Sequence, residues 1–280
     1  MAHQIDKKPT LVLGGTGKTG RRIIERLETL GVPTRLGSRN AEPPFDWEKR
    51  TTWPAALEGA SAVYISYQPD LAVPEAVEAI DEFKRLAISS DVRRLVLLSG
   101  RGEDEAQRAE QVLQSSAADW TILRSSWFSQ NFSENFLLDA VLSGTVALPV
   151  GDVKEPFVDA DDIADVAVAA LTEDGHEEHL YELTGPRLLT FADTVGAIAA
   201  AVNRPIKFLE ITPEQYAEDL KRHGVPQDVA SLMMYVFTTN LDGRNAYVAD
   251  GVQRALGREP RDFTDYAREA AATGIWETQR

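Results

Sequence analysis

Leu11-Val12-Leu13-Gly14-Gly15-Thr16-Gly17-Lys18-Thr19-Gly20-Arg21-Arg22 is the stretch on which the fold turns. Thr10–Leu13 is a short apolar run that reads as a strand. After the glycines, Ile23, Ile24, Leu27 and Leu30 recur at helical spacing until Gly31 stops them. Gly15, Gly17 and Gly20 satisfy G-x-G-x-x-G between that strand and that helix. Glycines so placed allow a tight turn, let the backbone approach a pyrophosphate and let the helix pack on the strand. The helix start adds free N–H groups and the positive end of its dipole. Gly14, Gly15, Thr16, Gly17, Lys18, Thr19 and Gly20 are therefore candidate contacts to a dinucleotide. A P-loop reading of Gly17-Lys18-Thr19 fails, because Val12 stands where that motif needs its first glycine.

Outward from the turn, strand and helix signals alternate. Strands are expected at Val32–Leu36, Phe45–Trp47, Ala62–Ser66, Arg94–Leu98, Trp120–Leu123 and Leu180–Leu183. Helices are expected at Glu75–Ser89, Glu103–Ser115, Phe136–Leu142 and Asp161–Leu171, the last with Asp161 as N-cap. Such βα units imply an α/β protein, a Rossmann-type doubly wound parallel sheet. From Thr190 onward helical signals dominate, punctuated by Pro205, Pro213 and Pro226, which implies a smaller, mainly helical C-terminal substrate lobe. The expected division is a dinucleotide-binding domain over 1–143, also receiving 158–186, and a substrate lobe over 187–280 with 144–157.

The chain has 280 residues, 43% hydrophobic and 26% charged, which is the make-up of a globular protein with a sizeable core. Its formal net charge is −15, so a nucleic-acid partner is not expected. There is no cysteine, which excludes disulfides, thiol nucleophiles and cysteine–zinc sites. No apolar run approaches the ~18 residues of a membrane span, and Met1–Lys8 is polar without a signal-peptide core. A cytoplasmic protein acting on a small molecule, with room for a homodimer, is the resulting expectation. His176-Glu177-Glu178-His179 lacks the H-E-x-x-H order, His3 and His223 lie far along the chain from it, and no metal is expected.

An NAD site carries an acid about 20 residues beyond the glycines, for the ribose 2′-OH. Here Ser38 and Arg39 stand in its place, as a 2′-phosphate requires, so the expected cofactor is NADP(H). Ligands of open parallel sheets lie beyond the carboxyl ends of the strands. That adds Asp46 and Trp47 toward the adenine, and Ser66, Tyr67 and Ser99 toward the ribose and nicotinamide. Each of these residues also fits an ordinary loop role.

Several segments together resemble the NmrA-like branch of atypical short-chain dehydrogenases. They are the glycine turn, Leu57–Tyr64, Arg94–Ser99, Trp120–Arg124 with Trp127–Phe132, and Phe157–Ala164. Gly-Gly-Thr-Gly-Lys-Thr followed by Arg-Arg is most similar to the ergot-alkaloid reductases of festuclavine synthase and agroclavine dehydrogenase type. The resemblance implies that the Trp127–Phe132 loop sits between cofactor and substrate lobe, with Trp127, Phe128, Asn131 and Phe132 against the substrate. The same aromatics would equally serve as lobe core. The Tyr-x-x-x-Lys pair of common short-chain dehydrogenases is absent, since no tyrosine has a lysine four residues on. Nor does Arg101–Glu110 hold the lysine of isoflavone-reductase-like relatives. Tyr67 and Ser99 are the remaining candidate catalytic groups. Without a dedicated acid, hydride transfer to an imine or iminium, a quinone or an activated alkene is favoured over simple ketones. The alternative is a non-catalytic NADP(H)-sensing regulator of the NmrA type.

Overall fold

A computed structural model describes residues 8–277; His3 lies outside them. The chain opens with β1 (Thr10–Leu13), α1 (Lys18–Thr29), β2 (Thr34–Gly37), α2 (Trp53–Leu57), β3 (Ala62–Ile65) and α3 (Glu75–Ser89). It continues through β4 (Arg94–Gly100), α4 (Asp104–Gln114), β5 (Asp119–Ser125), α5 (Leu138–Ser143), β6 (Thr145–Leu148), β7 (Lys154–Glu155) and α6 (Ala160–Thr172). The remainder is β8 (His179–Leu183), β9 (Leu189–Thr190), α7 (Phe191–Ala201), β10 (Lys207–Glu210), α8 (Pro213–Arg222), α9 (Gln227–Tyr235), α10 (Gly251–Leu256) and α11 (Phe263–Ala272).

Two compact units result. The first holds the chain up to Ser125 with Ala160–Leu183 and Asp250–Glu259; the second holds Ser126–Asp159, Thr184–Ala249 and the chain from Pro260. Residues 126–143 thus fall in the second unit, although the sequence placed them with the first. Their polar and aromatic run shows no change of period that would mark a boundary just after β5. Residues 250–259 return to the first unit, which no sequence signal announced.

The first unit is the expected Rossmann-type α/β layer. Its six strands run in the order β2-β1-β3-β4-β5-β8. All neighbours are parallel, with Leu11 beside both Arg35 and Val63. The order reverses at β1, so the crevice beyond β1 and β3 is the switch point at which such sheets bind ligands. Apolar side chains of the strands and of α2, α3 and α4 form one core, from Leu11 and Val63 to Phe83 and Leu113. Helix α6 is buried on nearly every face, as its Ala/Val/Ile sequence requires.

No strand forms at Phe45–Trp47. Pro43 and Pro44 withhold the N–H donors a ladder needs, and Phe45, Trp47, Trp53 and Phe83 instead pack ring against ring at 4.9–6.2 Å. Asp161 is not an N-cap either. It lies inside the first turn of α6, where its carboxylate accepts from Arg26 at 2.6 Å and meets Arg22 at 3.3 Å. Burial opposes ionisation there, but the two guanidiniums hold its carboxyl below the usual range. The second unit pairs β6 with β10 in parallel and β7 with β9 antiparallel, around an aromatic core of Phe132, Phe157, Phe191, Phe237 and Phe263.

Candidate functional site

The glycine turn is built as a cradle. Gly14 has φ +66°, a left-handed conformation that favours glycine, and its carbonyl accepts from Gly17 N at 2.8 Å to close the loop. A Cβ on Gly20 would overlap the Gly14 carbonyl and the Gly15 Cα, so only glycine lets α1 press against the turn. At the start of α1 Gly17 is the N-cap, no side chain caps the helix, and no acid lies in the first turn. An uncapped, glycine-walled helix start is what a pyrophosphate needs. Thr16 is exposed on the turn. Thr19 is buried, and its hydroxyl accepts from the Tyr64 hydroxyl at 2.9 Å, so its side chain fastens α1 to β3 and leaves its backbone for a ligand.

Beyond β2 the two arginines separate. Arg35 donates to the carbonyls of Ala56 and Glu58 at 2.7 and 2.6 Å and is structural. Arg39 is exposed, and the Ser38 hydroxyl and Arg39 guanidinium have no partner among the described residues. This is the arrangement that a 2′-phosphate fits.

Beyond β3, Ser66 packs over the turn, with its Cβ and Oγ 3.3 Å from the place a Gly14 Cβ would occupy. Its carbonyl accepts the Trp47 indole N–H at 3.0 Å, and the Trp47 ring lies 4.9 Å from that of Tyr67. The turn and the β3 end are thereby brought together with Trp47 and Tyr67. Asp46 organises its own loop: its carboxylate accepts from Glu48 N, and its carbonyl from the Trp53 indole. Tyr67 is half-buried. Burial, then Glu75, pushes its phenol up, so it stays protonated and able to donate.

Ser99 is different from the sequence expectation. It is buried, and its hydroxyl donates to Glu110 Oε1 at 2.6 Å. Glu110 also takes both nitrogens of one edge of Arg124, whose other arm reaches Glu182 at 3.0 Å. Ser99 therefore acts as part of a buried polar network beneath the strand ends, with its proton already placed. Nearby, burial together with Asp70 and Glu110 pushes the Glu103 carboxyl up to about 8. Of this network sequence reading singled out Ser99 alone, since the other members are ordinary helix and strand residues until β4 and β5 bring them together.

In the second unit, Trp127 and Phe128 are partly buried, and Asn131 is partly exposed with no side-chain partner among the described residues. Phe132 is fully buried among Phe157, Phe191 and Phe263, and its carbonyl accepts the Trp276 indole at 2.9 Å. It is core rather than an open wall. Gln130 donates to Asp159 at 2.6 Å in a buried pair that sequence reading also missed. Among the described residues there is no group of three or more acids and histidines placed for a metal. The His176 ring meets the Tyr181 hydroxyl and the His179 ring the Glu177 carbonyl. No helix of the described residues is long and apolar enough to cross a membrane.

Comparison with known proteins matches residues 14–174 to the NAD(P)H-binding family profile. Over 284 residues the chain is 30% identical to the NAD(P)H azoreductase of Xenophilus azovorans, covering 94% of this chain and 98% of that protein. Over 280 residues it is 31% identical to festuclavine synthase II of Penicillium roqueforti, covering 92% and 96%. Among solved structures, the NADPH-dependent quinone oxidoreductase QOR2 of Escherichia coli, complexed with NADPH, superposes with a TM-score of 0.78 at 19% identity, over 93% of this chain and 99% of that one. NmrA, a negative transcriptional regulator in complex with NAD, gives 0.66 at 15% identity, over 96% and 98%. At these identities the two structures speak for the fold.

Proposed function

The chain belongs to the NAD(P)H-binding family, and from that premise we propose that it is an NADPH-dependent reductase that passes hydride to a small cyclic or aromatic acceptor, an imine or iminium, quinone or activated alkene. The observation that carries the NADPH preference is the unpartnered Arg39 beside Ser38 at the end of β2, where an NAD site keeps an acid. The bound nicotinamide nucleotide supplies the hydride. The chain's own part is to hold it and to present the acceptor. The Gly14–Gly20 turn and the N–H groups of α1 receive the pyrophosphate, and Ser38 and Arg39 the 2′-phosphate. Ser66, Trp47 and Tyr67 stand beside that turn, and the Tyr67 phenol donates a hydrogen bond. Trp127, Phe128 and Asn131 are proposed to meet the acceptor. Hydride addition to an iminium or quinone needs no strong acid at the carbon attacked, which suits a site whose Ser99 proton is already engaged.

The engaged Ser99 also favours a second reading, a non-catalytic NADP(H) sensor. NADPH oxidation against a panel of cyclic imines, quinones and enones separates the two. Turnover of any panel member supports the reductase; tight NADPH binding with no turnover selects the sensor.

A further inference from the structure

Three tryptophans direct their indole N–H to backbone carbonyls: Trp47 to Ser66, Trp53 to Asp46 and Trp276 to Phe132, all within 3.0 Å. Trp127 does not. Its Nε1 is buried and has no hydrogen-bond partner. The rings around it are those of Phe136, Phe191 and Phe237, with centroids at 6.4, 5.5 and 5.3 Å, and none of them carries an oxygen. The backbone cannot swing the indole elsewhere, because Val158 N donates to the Trp127 carbonyl at 2.9 Å and Ser129 N to the Val158 carbonyl at 2.8 Å. Phe237 belongs to a π-helical turn, Val236–Asn240, a rare geometry that recurs at functional sites. A buried donor without an acceptor is a standing cost, and phenylalanine would fill the same aromatic wall without it.

We infer that the Trp127 indole N–H is the group that selects the electron acceptor, and that it takes a neutral, flat, conjugated ring carrying a carbonyl lone pair, a quinone in chemical class, in preference to an iminium cation. This rests on the reductase reading and narrows its acceptor. An iminium nitrogen has no lone pair to offer, and its positive charge meets the positive end of the N–H dipole. A quinone oxygen accepts the bond. When hydride adds to the quinone, negative charge lands on its oxygens and the bond strengthens; solvent supplies the closing proton and the indole keeps its own. Because the N–H is buried, the acceptor enters by displacing a neighbour. Phe136, on a turn and 39% exposed, loses least by moving.

The test uses the full chain without nucleotide. The Trp127 indole ¹H–¹⁵N resonance, identified by its absence in Trp127→Phe, is followed on adding a naphthoquinone, naphthalene or a cyclic iminium. The expected result is a saturable shift with the naphthoquinone alone. Trp127→Phe should weaken naphthoquinone binding about tenfold, the worth of one hydrogen bond, and leave naphthalene and NADPH binding unchanged. An unmoved wild-type resonance, or equal losses for naphthoquinone and naphthalene, overturns the inference, and the wild-type titration decides even if the variant folds poorly. Phe136→Ala should keep the resonance shift; its loss there also overturns the inference. Failure of the chain to bind NADPH, or to oxidise it with any acceptor, overturns the reductase reading instead.

Discussion

Arg35 donates to two carbonyls of the first unit while Arg39, four residues on, has no partner among the described residues. Their substitutions should therefore part. Arg39→Ala removes a charge-assisted bond worth about 1.5–3 kcal/mol, so it should raise the NADPH dissociation constant roughly 10- to 150-fold and leave NADH nearly unchanged. Arg35→Ala should lower the melting temperature and leave the NADPH/NADH ratio alone. Isothermal titration with both nucleotides checks each. Glu103 gives a residue-scale prediction of another kind. Burial, then Asp70 and Glu110, raises its folded-state value from 4.5 to about 8. The folded chain then holds a proton that the unfolded chain has released, so this stability contribution is complete below about 4.5 and is lost as pH rises toward about 8. Glu103→Gln should flatten the fall in melting temperature over that window. An unchanged slope would assign the fall to other groups.

At the scale of elements, the seat of α1 on the glycine turn depends on the bare Cα of Gly20. Gly20→Ala should cost about 1–3 kcal/mol through overpacking and abolish NADPH binding by tilting the helix start, which denaturant melts and nucleotide titration would register. The ion pairs joining α1, α6 and the segment after α10 are graded by burial. Asp162 is 0% exposed and meets Arg258 at 2.7 Å; Asp165 is 28% exposed between Arg26 and Arg258. Asp162→Ala should cost about 2 kcal/mol, since it empties a fully buried position and takes one of two carboxylates from Arg258, and Asp165→Ala about 1 kcal/mol. Equal costs in urea melts would refute that ordering. The turn was legible in sequence because its glycines answer a local demand of backbone geometry. Helix α3 was legible to the residue, Glu75–Ser89, because one face repeats. Phe45–Trp47 was misread because three apolar-flanked residues look alike whether they enter a sheet or a ring cluster. The Ser99–Glu110–Arg124 network was illegible because nothing in sequence aligns β4, α4 and β5.

For the whole molecule, a net charge of −15 opposes the approach of an anionic nucleotide. Salt shortens the reach of that field from about 30 Å at 0.01 M to about 8 Å at 0.15 M. The association rate of NADPH, read by stopped-flow fluorescence, should therefore rise over that range. A falling rate would mean that a local positive field around Lys18 and Arg39 steers the encounter. The order of the chain has a separate consequence. It passes between the two units at 125/126, 159/160, 183/184, 249/250 and 259/260. During synthesis, β5 leaves the ribosome with a bare edge, because β8 arrives only at His179–Leu183 and α10 only at Gly251–Leu256. The nucleotide turn must wait for β8 before its sheet is complete, and for Asp250–Glu259 before its unit is. Neither unit can be released by clipping one end, and nascent copies depend on protection of the β5 edge until His179–Leu183 has been made.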